Sequence, residues 1–477
     1  MLPSAVQNAT KTLRPSTWSP ARLSVSSTVT GRTPPLCAIY RPRSDPIGEG
    51  ITDRRWLHST AKWRPVQALD EWVAKEARPI SLRQLMVFGR SLTEERLISS
   101  ANYVRTELPT RIAHRIRDMQ RLPYVVVTNR HMSEVYELYY TAFDTFRRVK
   151  EIKTLEDNDK FCSIIAGMLR AHLTVIPKLA MGILECNGLM SAADLDRFMN
   201  TILRSRISRR VIAEQHLALS ETFNSDWFSP GAKLSESEFI GEVFLKCVAR
   251  DVVESCGRAV QDLARSAYGP DAAIPEIKVD GHLGATFPYI LTHLQYIVGE
   301  LLRNSVQAVI ENHRKNPTND KKPPPIEVTL CEAQQHVIIR ISDRGGGISR
   351  DTLPYLWSFG KGPSTDQRLE NLGQVPLMAA TLQELRVDGN LQNIAGHGGS
   401  HGSRYDEHNG SLTSLSTRPP NLRLGISLPL SRVYAEYWAG SLELHSLEGY
   451  GVDAFLQISK LGNKNEQLAT RAAMDAV

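Results

Sequence analysis

The helical pattern at residues 293–311 and the strand pattern that follows it constrain the fold of this chain most. Apolar residues recur at every third or fourth position of 293–311, which predicts a helix with one face in a core. The opposite face of this helix carries polar side chains one turn apart, namely Glu300, Asn304, Gln307 and Glu311. Further along, β-branched residues at 336–342 predict a strand that runs directly into Asp343 and the glycines at 345–347. Each pattern alone is common in ordinary cores and turns, so the argument depends on their combination.

The residue types in this combination suit the chemistry of a nucleotide site. An Asp at the end of a strand, here Asp343, can accept a hydrogen bond from the exocyclic amine of adenine, and glycines such as Gly345 and Gly347 let the backbone approach the ring and sugar closely. The amide oxygen of Asn304 is a hard ligand, suited to a magnesium ion that bridges phosphates. Glu300, one turn earlier on the helix, faces the same space and can orient or deprotonate a hydroxyl nucleophile. The order and spacing together predict a site for ATP and magnesium.

The first 62 residues have the composition of a mitochondrial transit peptide. Residues 1–44 contain no Asp or Glu but are rich in Arg, Ser and Thr, and the run at 54–59 resembles a matrix processing site. A disordered basic tail without a targeting role is the alternative. Residues 1–64 hold ten Lys or Arg and three Asp or Glu, a net charge of +7, so the total of +6 leaves −1 for the rest. A mature chain close to neutral gives no indication of nucleic-acid binding.

The cysteines and the apolar runs argue against several other classes of protein. The six cysteines are scattered and include no C-x-x-C pair, which argues against a zinc site and a disulfide framework. A reducing compartment such as the mitochondrial matrix fits this usage. No apolar run approaches the roughly 18 residues that a membrane span requires, so we expect no membrane span.

Residues 63–265 are predicted to form a mainly helical domain, a four-helix bundle. Pro109 should bend or restart the helix at 93–120, and Pro177 should kink any continuous helix over 161–186. Ser133 is a candidate N-cap for a third helix. Ser191 and Asp194 form a capping-box-like start for a fourth. The basic run from Arg204 to Arg210 is predicted to be a solvated helix face, with contact to an acidic partner or a phosphate as the alternative.

Residues 270–461 are predicted to form a second domain with a mixed sheet and helices on one face, which makes the whole chain an α+β protein. The strand patterns at 326–330 and 336–342 should pair as a hairpin. Residues 360–423 are rich in Gly, Ser, His and Asn, which is typical of a long functional lid or a disordered loop. The tail at 462–477 is polar and is expected to be mobile.

Three motifs of the second domain resemble a known ATP-binding fold. They are Glu300-Leu-Leu-Arg-Asn304, Asp343-Arg-Gly-Gly-Gly347 and the stretch from Leu428 to Tyr437. Together they are similar to the GHKL fold shared by histidine kinases, Hsp90-type chaperones and MutL. The resemblance is greatest to the mitochondrial kinases of the 2-oxoacid dehydrogenase complexes, and it extends over residues 78–461, including helical motifs at 78–85, 111–116, 122–124 and 202–210.

The resemblance implies a function and a set of partners. It implies a protein-serine kinase that uses MgATP, and potassium is a further ion compatible with the family. The substrate would be the decarboxylase alpha subunit of a dehydrogenase complex, with docking on the lipoyl-bearing acyltransferase core and a homodimer formed through the C-terminal sheets. Glu300 would be the catalytic base and Asn304 the metal ligand. The nucleotide would be contacted by Glu300, Arg303, Asn304, Gln307, Asp343, Gly345, Gly347, Gly425 and Leu428.

Two branches of this family remain open for the substrate. The motif Val279-Asp-Gly-His282, Phe287, Tyr296 and the short tail resemble the branched-chain 2-oxoacid dehydrogenase kinase, which we favour. The pyruvate dehydrogenase kinases usually have His where Tyr296 stands and a longer tail. Pyruvate dehydrogenase is the second candidate, because proteins of mixed character occur.

Several departures from the family pattern keep other functions open. Arg303 stands where the family usually has Lys, and the turn at 423–428 retains only Gly425 of three glycines, so the side chains of Arg423 and Ser427 are expected to crowd the phosphates. A catalytically weak regulatory subunit is therefore the alternative function. A histidine autokinase that carries phosphate on His114 is a third possibility, ranked last because no receiver domain or membrane sensor is present.

Overall fold

The computed structural model describes residues 66–90, 92–224, 239–269, 272–316, 322–362, 364–378, 422–460 and residue 466. The transit-peptide prediction for residues 1–62 therefore lies outside the described residues. The elements confirm an α+β protein, with a helical N-terminal part followed by a mixed sheet with helices.

The N-terminal part consists of eight described helices. Their bounds are α1 Val66–Val73, α2 Leu82–Arg90, α3 Glu94–Gln120, α4 Tyr124–Val127, α5 Arg130–Arg147, α6 Leu155–Ala171, α7 Val175–Glu185 and α8 Ala192–Asn224. The long helix α3 packs against α5, α6 and α8, and α5 packs against α7. These helices enclose an apolar core that includes Ile112, Tyr139, Phe161 and Ile202.

Capping and packing decide where these helices begin and end. The predicted capping box is confirmed, since Ser191 Oγ accepts from the backbone N–H of Asp194 at 3.2 Å and donates to its carboxylate at 2.6 Å. The Ser133 cap is wrong, because α5 begins at Arg130 and the side chain of Asn129 accepts from the backbone N–H groups of His131 and Met132 at 3.0 and 3.2 Å.

The two internal prolines lie at different positions in their helices. Helix α3 runs through the buried Pro109 without a restart, because packing along its buried face outweighs the roughly 3 kcal/mol cost of an internal proline. The apolar stretch 161–186 breaks at a 3₁₀ turn, His172–Thr174, and Pro177 lies in the first turn of α7, where no intrahelical donor is lost.

The basic run on α8 is buried, so the predicted solvated face is wrong. Arg204, Arg206, Arg209 and Arg210 are all 5 % exposed or less. Arg204 pairs with Glu436, Arg209 donates to the Tyr139 hydroxyl at 2.9 Å, and Arg210 lies 2.7 Å from Glu214. Protein partners, on α8 itself for Arg210 and on other elements for Arg204 and Arg209, replace water around these guanidinium groups.

One described stretch, Leu155–Glu185, is long and apolar enough to cross a membrane by length and composition alone. Core helices of folded domains pass the same test, and this stretch is two helices interrupted at His172–Thr174 with Phe161, Ile165 and Leu179 buried in the bundle.

A small antiparallel sheet follows the bundle, and two of its strands, β1 and β2, lie where the sequence analysis expected helix. It comprises β1 Phe239–Ile240, β2 Val243–Val248 and β4 Thr286–Ile290, in the order β1-β2-β4. Helix α9, Ala249–Tyr268, comes next and packs against α10, Leu291–Lys315, and against β3, Ile277–Gly281. The predicted domain boundary at 265–270 coincides with the end of α9 and stays a prediction.

The second sheet supports the nucleotide-type motifs. It contains β3, β5 Ile326–Glu332, β6 His336–Asp343, β7 Ser441–Leu447 and β8 Gly451–Ser459, in the order β3-β5-β6-β8-β7. Only β3 and β5 are parallel, and the predicted hairpin of β5 and β6 is confirmed. One face is buried, through Val328, Ile339 and Leu456 among others, and α9, α10 and α12 (Ser427–Tyr437) pack on this sheet. The sheet thus places the end of β6 beside α10.

Two predicted irregular segments differ from expectation. Within the predicted lid at 360–423, residues Thr365–Gly373 form helix α11, and residues 379–421 lie outside the described part of the chain. In the tail predicted to be mobile, Glu466 is 4 % exposed and its carboxylate lies 2.7 Å from Arg111. The prediction of mobility is therefore wrong at this residue, because a buried cation fixes it.

Candidate active site

A cleft of about 700 Å³ opens between α10, the end of β6 and the turn that precedes α12. Eight of the nine predicted nucleotide-contacting residues line it: Arg303, Asn304, Gln307, Asp343, Gly345, Gly347, Gly425 and Leu428. The ninth, Glu300, does not line the cleft. The volume is within the range of small-molecule sites.

Asp343 is the buried acceptor of the cleft. Its side chain belongs to the last residue of β6 and is 7 % exposed. One carboxylate oxygen accepts from the Ser305 hydroxyl at 2.8 Å, and the other accepts from the backbone N–H of Gly345 at 2.9 Å. Burial raises the pKa of this carboxyl group, and the hydrogen bonds from Gly345 and Ser305 oppose that rise. Each oxygen retains acceptor capacity, so the carboxylate can still bind an amine such as that of adenine.

The glycines after Asp343 allow the loop to pass close to its neighbours. A Cβ at Gly345 would lie 2.5 Å from the Cβ of Ala308 on α10. Gly347 has φ +73°, and a Cβ there would lie 2.3 Å from the backbone oxygen of Leu447. Any side chain at either position would push the loop away from α10 or from the β7–β8 turn, so these glycines set the shape of this cleft wall.

The polar face of α10 divides into residues that line the cleft and one that does not. Asn304 and Gln307 line the cleft, and the amide of Gln307 donates to Glu311 at 2.9 Å. Glu300 is 6 % exposed, with its carboxylate 3.9 Å from the guanidinium of the equally buried Arg303. Tyr296, one turn earlier, is buried against Tyr434, with ring centroids 5.2 Å apart.

Arg423, Gly425 and Ser427 of the turn at 423–428 all line the cleft, and the crowding of phosphates by Arg423 and Ser427 stays a prediction. Gly425 has φ +69°, whereas neither Arg423 nor Ser427 adopts a positive φ. The Arg423 side chain is 65 % exposed, and one of its guanidinium nitrogens lies 2.6 Å from both carboxylate oxygens of Glu311. Ser427 is the first residue of α12. Only Gly425 therefore requires the conformational freedom of glycine.

Two residues of α11 support this turn, and the sequence analysis named neither. Arg368 lines the cleft, is 6 % exposed and donates to the backbone carbonyls of Phe359 and Gly425. Asn371 donates to the backbone carbonyl of Arg423 at 2.9 Å. No local signal marks them, because their partners are backbone atoms distant in sequence.

Magnesium fits the cleft only in combination with phosphates. No group of three or more His, Cys, Asp or Glu that could hold a metal ion occurs among the described residues. Asn304 offers one hard amide oxygen in the cleft, and magnesium is commonly bound by one or two protein ligands, waters and substrate phosphates. Asn304 would hold such an ion, which would neutralise phosphate charge when bound.

His114, the candidate phosphoacceptor, lies in the helical part of the molecule. Its ring is half-buried, and Nε2 lies 3.1 Å from the backbone oxygen of Val73. Because a carbonyl oxygen only accepts, Nε2 carries the proton and donates. His114 is not among the residues that line the cleft.

The fold and the cleft define an ATP-binding protein of the GHKL class. Residues 290–460 match the family described as histidine kinase-, DNA gyrase B-, and HSP90-like ATPase. Residues 79–244 match the family described as mitochondrial branched-chain alpha-ketoacid dehydrogenase kinase.

Similar proteins of known function span both regions. The mitochondrial [pyruvate dehydrogenase (acetyl-transferring)] kinase 2 of Saccharomyces cerevisiae is 31 % identical over 427 residues, which cover 84 % of this chain and 85 % of that protein. The corresponding mitochondrial kinase of Arabidopsis thaliana is 29 % identical over 84 % of this chain and 96 % of its own, and that of Drosophila melanogaster is 26 % identical over 84 % and 86 %. The chain belongs to the family of mitochondrial 2-oxoacid dehydrogenase kinases and is an ATP-dependent protein kinase, as the sequence motifs predict.

Proposed function

We propose that this protein transfers the γ-phosphoryl group of MgATP to a serine of the decarboxylase alpha subunit of a 2-oxoacid dehydrogenase complex and thereby inactivates the complex. The observation that carries this proposal is the cleft in which Asn304 of α10, Asp343 at the end of β6 and Gly425 in the turn before α12 come together. Similarity to dehydrogenase kinases over 84 % of the chain supports it.

Each cleft residue has a role in this proposal. Asp343 accepts from the adenine amine, and the backbone at Gly345 and Gly347 lies against the adenine and ribose. Asn304 holds magnesium, while Arg303, Gln307 and Leu428 complete the nucleotide contacts. By family resemblance, the nucleotide site would also be compatible with potassium.

Glu300 is proposed as the base that activates the serine. Its carboxylate accepts the hydroxyl proton as the serine oxygen bonds to the γ-phosphorus, and the bond from that phosphorus to the bridging oxygen breaks, so that ADP leaves with the electron pair. The Glu300 carboxylate lies on the same helix as Asn304. Its burial and the nearby Arg303 guanidinium restrict its orientation.

Pyruvate dehydrogenase is the substrate that the relatives favour. The three kinases compared above are all named as pyruvate dehydrogenase kinases. Branched-chain 2-oxoacid dehydrogenase, which the sequence motifs favour, remains the second candidate, because residues 79–244 match the branched-chain kinase family and Tyr296 departs from the usual His.

The remaining proposals concern location and assembly. The acid-poor, Arg-rich segment 1–62 supports import into the mitochondrial matrix. Family resemblance supports a homodimer formed through the C-terminal sheets and docking of the helical domain on the lipoyl-bearing acyltransferase core.

Phosphate transfer to purified dehydrogenases tests the proposed function. The protein is incubated with labelled MgATP and with each dehydrogenase complex separately, and label on the alpha subunit is measured. We expect Glu300→Gln to lower the rate constant by about a hundredfold or more, as for loss of a general base, while MgATP still binds. Glu254→Gln, an exposed substitution on α9, serves as the control. Unchanged activity of the Glu300 variant would contradict the base assignment.

A regulatory subunit without turnover is the second candidate function. The observation in its favour is that Glu300 does not line the cleft. Calorimetric titration with MgATP tests the enzyme proposal. A regulatory subunit would bind a dehydrogenase core or a partner kinase without turning over ATP. If MgATP does not bind, the enzyme proposal fails. Acid-labile phosphate on His114 would instead indicate an autokinase.

A further inference from the structure

We propose that helix α11 shapes the phosphate-binding turn of this kinase, with Arg368 and Asn371 as its positioning residues. This inference rests on the proposed binding of MgATP in the cleft. It concerns how a turn with one glycine can bind phosphates as glycine-rich turns do.

Arg368 connects the two chain segments that flank the cleft. Its guanidinium donates to the Phe359 carbonyl at 2.7 Å and to the Lys361 carbonyl at 3.2 Å on one side. On the other side it donates to the carbonyls of Leu424 at 3.4 Å and Gly425 at 3.2 Å. A planar guanidinium has five N–H donors in a fixed arrangement, and an ammonium group does not reproduce this geometry.

Asn371 extends the same support by one residue. Its amide donates to the Arg423 carbonyl at 2.9 Å, so α11 binds the carbonyls of three consecutive residues, 423 to 425. In a planar trans peptide the N–H points opposite to the C=O. The amide N–H groups of Leu424, Gly425 and Ile426 therefore point away from α11. Oriented backbone N–H groups of this kind form anion sites.

The position of Arg368 also explains why residue 425 is glycine, whereas residues 423 and 427 carry side chains. A Cβ on Gly425 would lie 2.3 Å from the Arg368 Nε and 2.7 Å from its Cζ, so the guanidinium occupies the space of a side chain. At Arg423 and Ser427 the backbone has no positive φ, and the Arg423 side chain turns to Glu311. The buried guanidinium adds a positive charge at the cleft wall, which favours a phosphate nearby.

Calorimetric titration of the full chain with MgATP and with adenosine tests this inference. The variants are Arg368→Met, Arg368→Lys and Asn371→Ala, and Arg350→Met, with a side chain that is 92 % exposed, is the control. We expect Arg368→Met to raise the dissociation constant for MgATP at least about tenfold and Asn371→Ala about threefold, given one or more lost hydrogen bonds. Arg368→Lys should fall between Arg368→Met and the unsubstituted protein.

Adenosine distinguishes positioning of the turn from a general structural role. Because adenosine has no phosphates, its affinity should change by less than about twofold in each variant, and the KM for ATP should rise more than kcat falls. Equal losses for adenosine and MgATP would overturn the inference, as would MgATP binding by Arg368→Met and Asn371→Ala within about twofold of the unsubstituted protein.

The outcomes also separate this inference from the proposed function. If the unsubstituted protein binds no MgATP, both fail together. If it binds MgATP but phosphorylates no dehydrogenase, the proposed substrate fails and the variants still decide the role of α11. Should Arg368→Met not fold, Arg368→Lys and Asn371→Ala carry the test.

Discussion

At the scale of single residues, the cleft depends on a few side chains whose partners are fixed by burial. Asp343 is buried at a strand end, yet Ser305 and the Gly345 backbone each donate to it. These bonds oppose the effect of desolvation, which raises its pKa. The carboxylate is thus kept as an oriented acceptor by the Ser305 hydroxyl and by backbone amides.

Removal of the Ser305 hydroxyl should make MgATP binding more sensitive to acid. In Ser305→Ala the pKa of Asp343 rises further, because one bond that favours the ionised form is lost. If the nucleotide binds the ionised Asp343 carboxylate, the affinity for MgATP falls as the pH falls through the pKa of Asp343. In Ser305→Ala this loss of affinity should begin at a higher pH.

The dissociation constant for MgATP, measured from neutral to mildly acidic pH, checks this prediction. Ser163→Ala, at an exposed position of α6, is the control. A pH dependence identical to that of the unsubstituted protein would show that Ser305 does not act through Asp343.

At the scale of elements, packing decides features that local patterns do not. Helix α3 continues through Pro109, and β2 forms in a stretch whose composition suggested helix. Strand β8 begins at Gly451 beside the end of β6, where a Cβ would lie 1.9 Å from the backbone oxygen of Asp343. The strand pairing and the position of Asp343 in the cleft therefore depend on the same glycine.

Two glycine substitutions should have opposite effects on stability. Gly451→Ala should lower the free energy of unfolding by about 1–3 kcal/mol, as overpacking does, and should weaken MgATP binding by displacing Asp343. Gly167→Ala, inside α6 with no atom within 4 Å of the added Cβ, should raise the free energy of unfolding by about 0.5–1 kcal/mol. Urea unfolding of both variants measures these changes. Equal stability of the two variants would contradict the packing argument.

At the scale of the whole molecule, buried ion pairs join the helical part to the ATP-binding part. Helix α12 begins in the turn at 423–428 and ends at Tyr437, and Glu436 on it pairs with Arg204 of α8. The Tyr437 hydroxyl donates to Glu466, which also pairs with the 2 %-exposed Arg111 of α3. One helix therefore connects the nucleotide cleft with two helices of the bundle.

Loss of the Glu466 carboxylate should destabilise the fold strongly. In Glu466→Ala, the buried Arg111 loses one of its carboxylate partners, and breaking such a pair costs about 3–5 kcal/mol. Glu448→Ala, at an exposed pair with Arg350, should change stability by less than about 1 kcal/mol. The free energy of unfolding in urea distinguishes them. Similar values for both variants would mean that Glu466 contributes no more than a surface charge.

The sequence by itself determined the class of fold and most of the cleft. The motifs Glu300–Asn304 and Asp343–Gly347 and the helix from Leu428 to Tyr437 are readable because each is local. Within each, a helical period, a strand end or a glycine places its groups in a defined relation to one another. Eight of the nine predicted nucleotide residues accordingly line one cleft.

Only the tertiary structure decided which residues distant in sequence contact one another. The contact of Arg423 with Glu311, the support of residues 423–425 by α11, the burial of Arg204–Arg210 and the anchoring of Glu466 all join residues distant in sequence. The physical reason is that a charged side chain is buried only where distant parts of the chain supply its partners, and no local pattern records those partners.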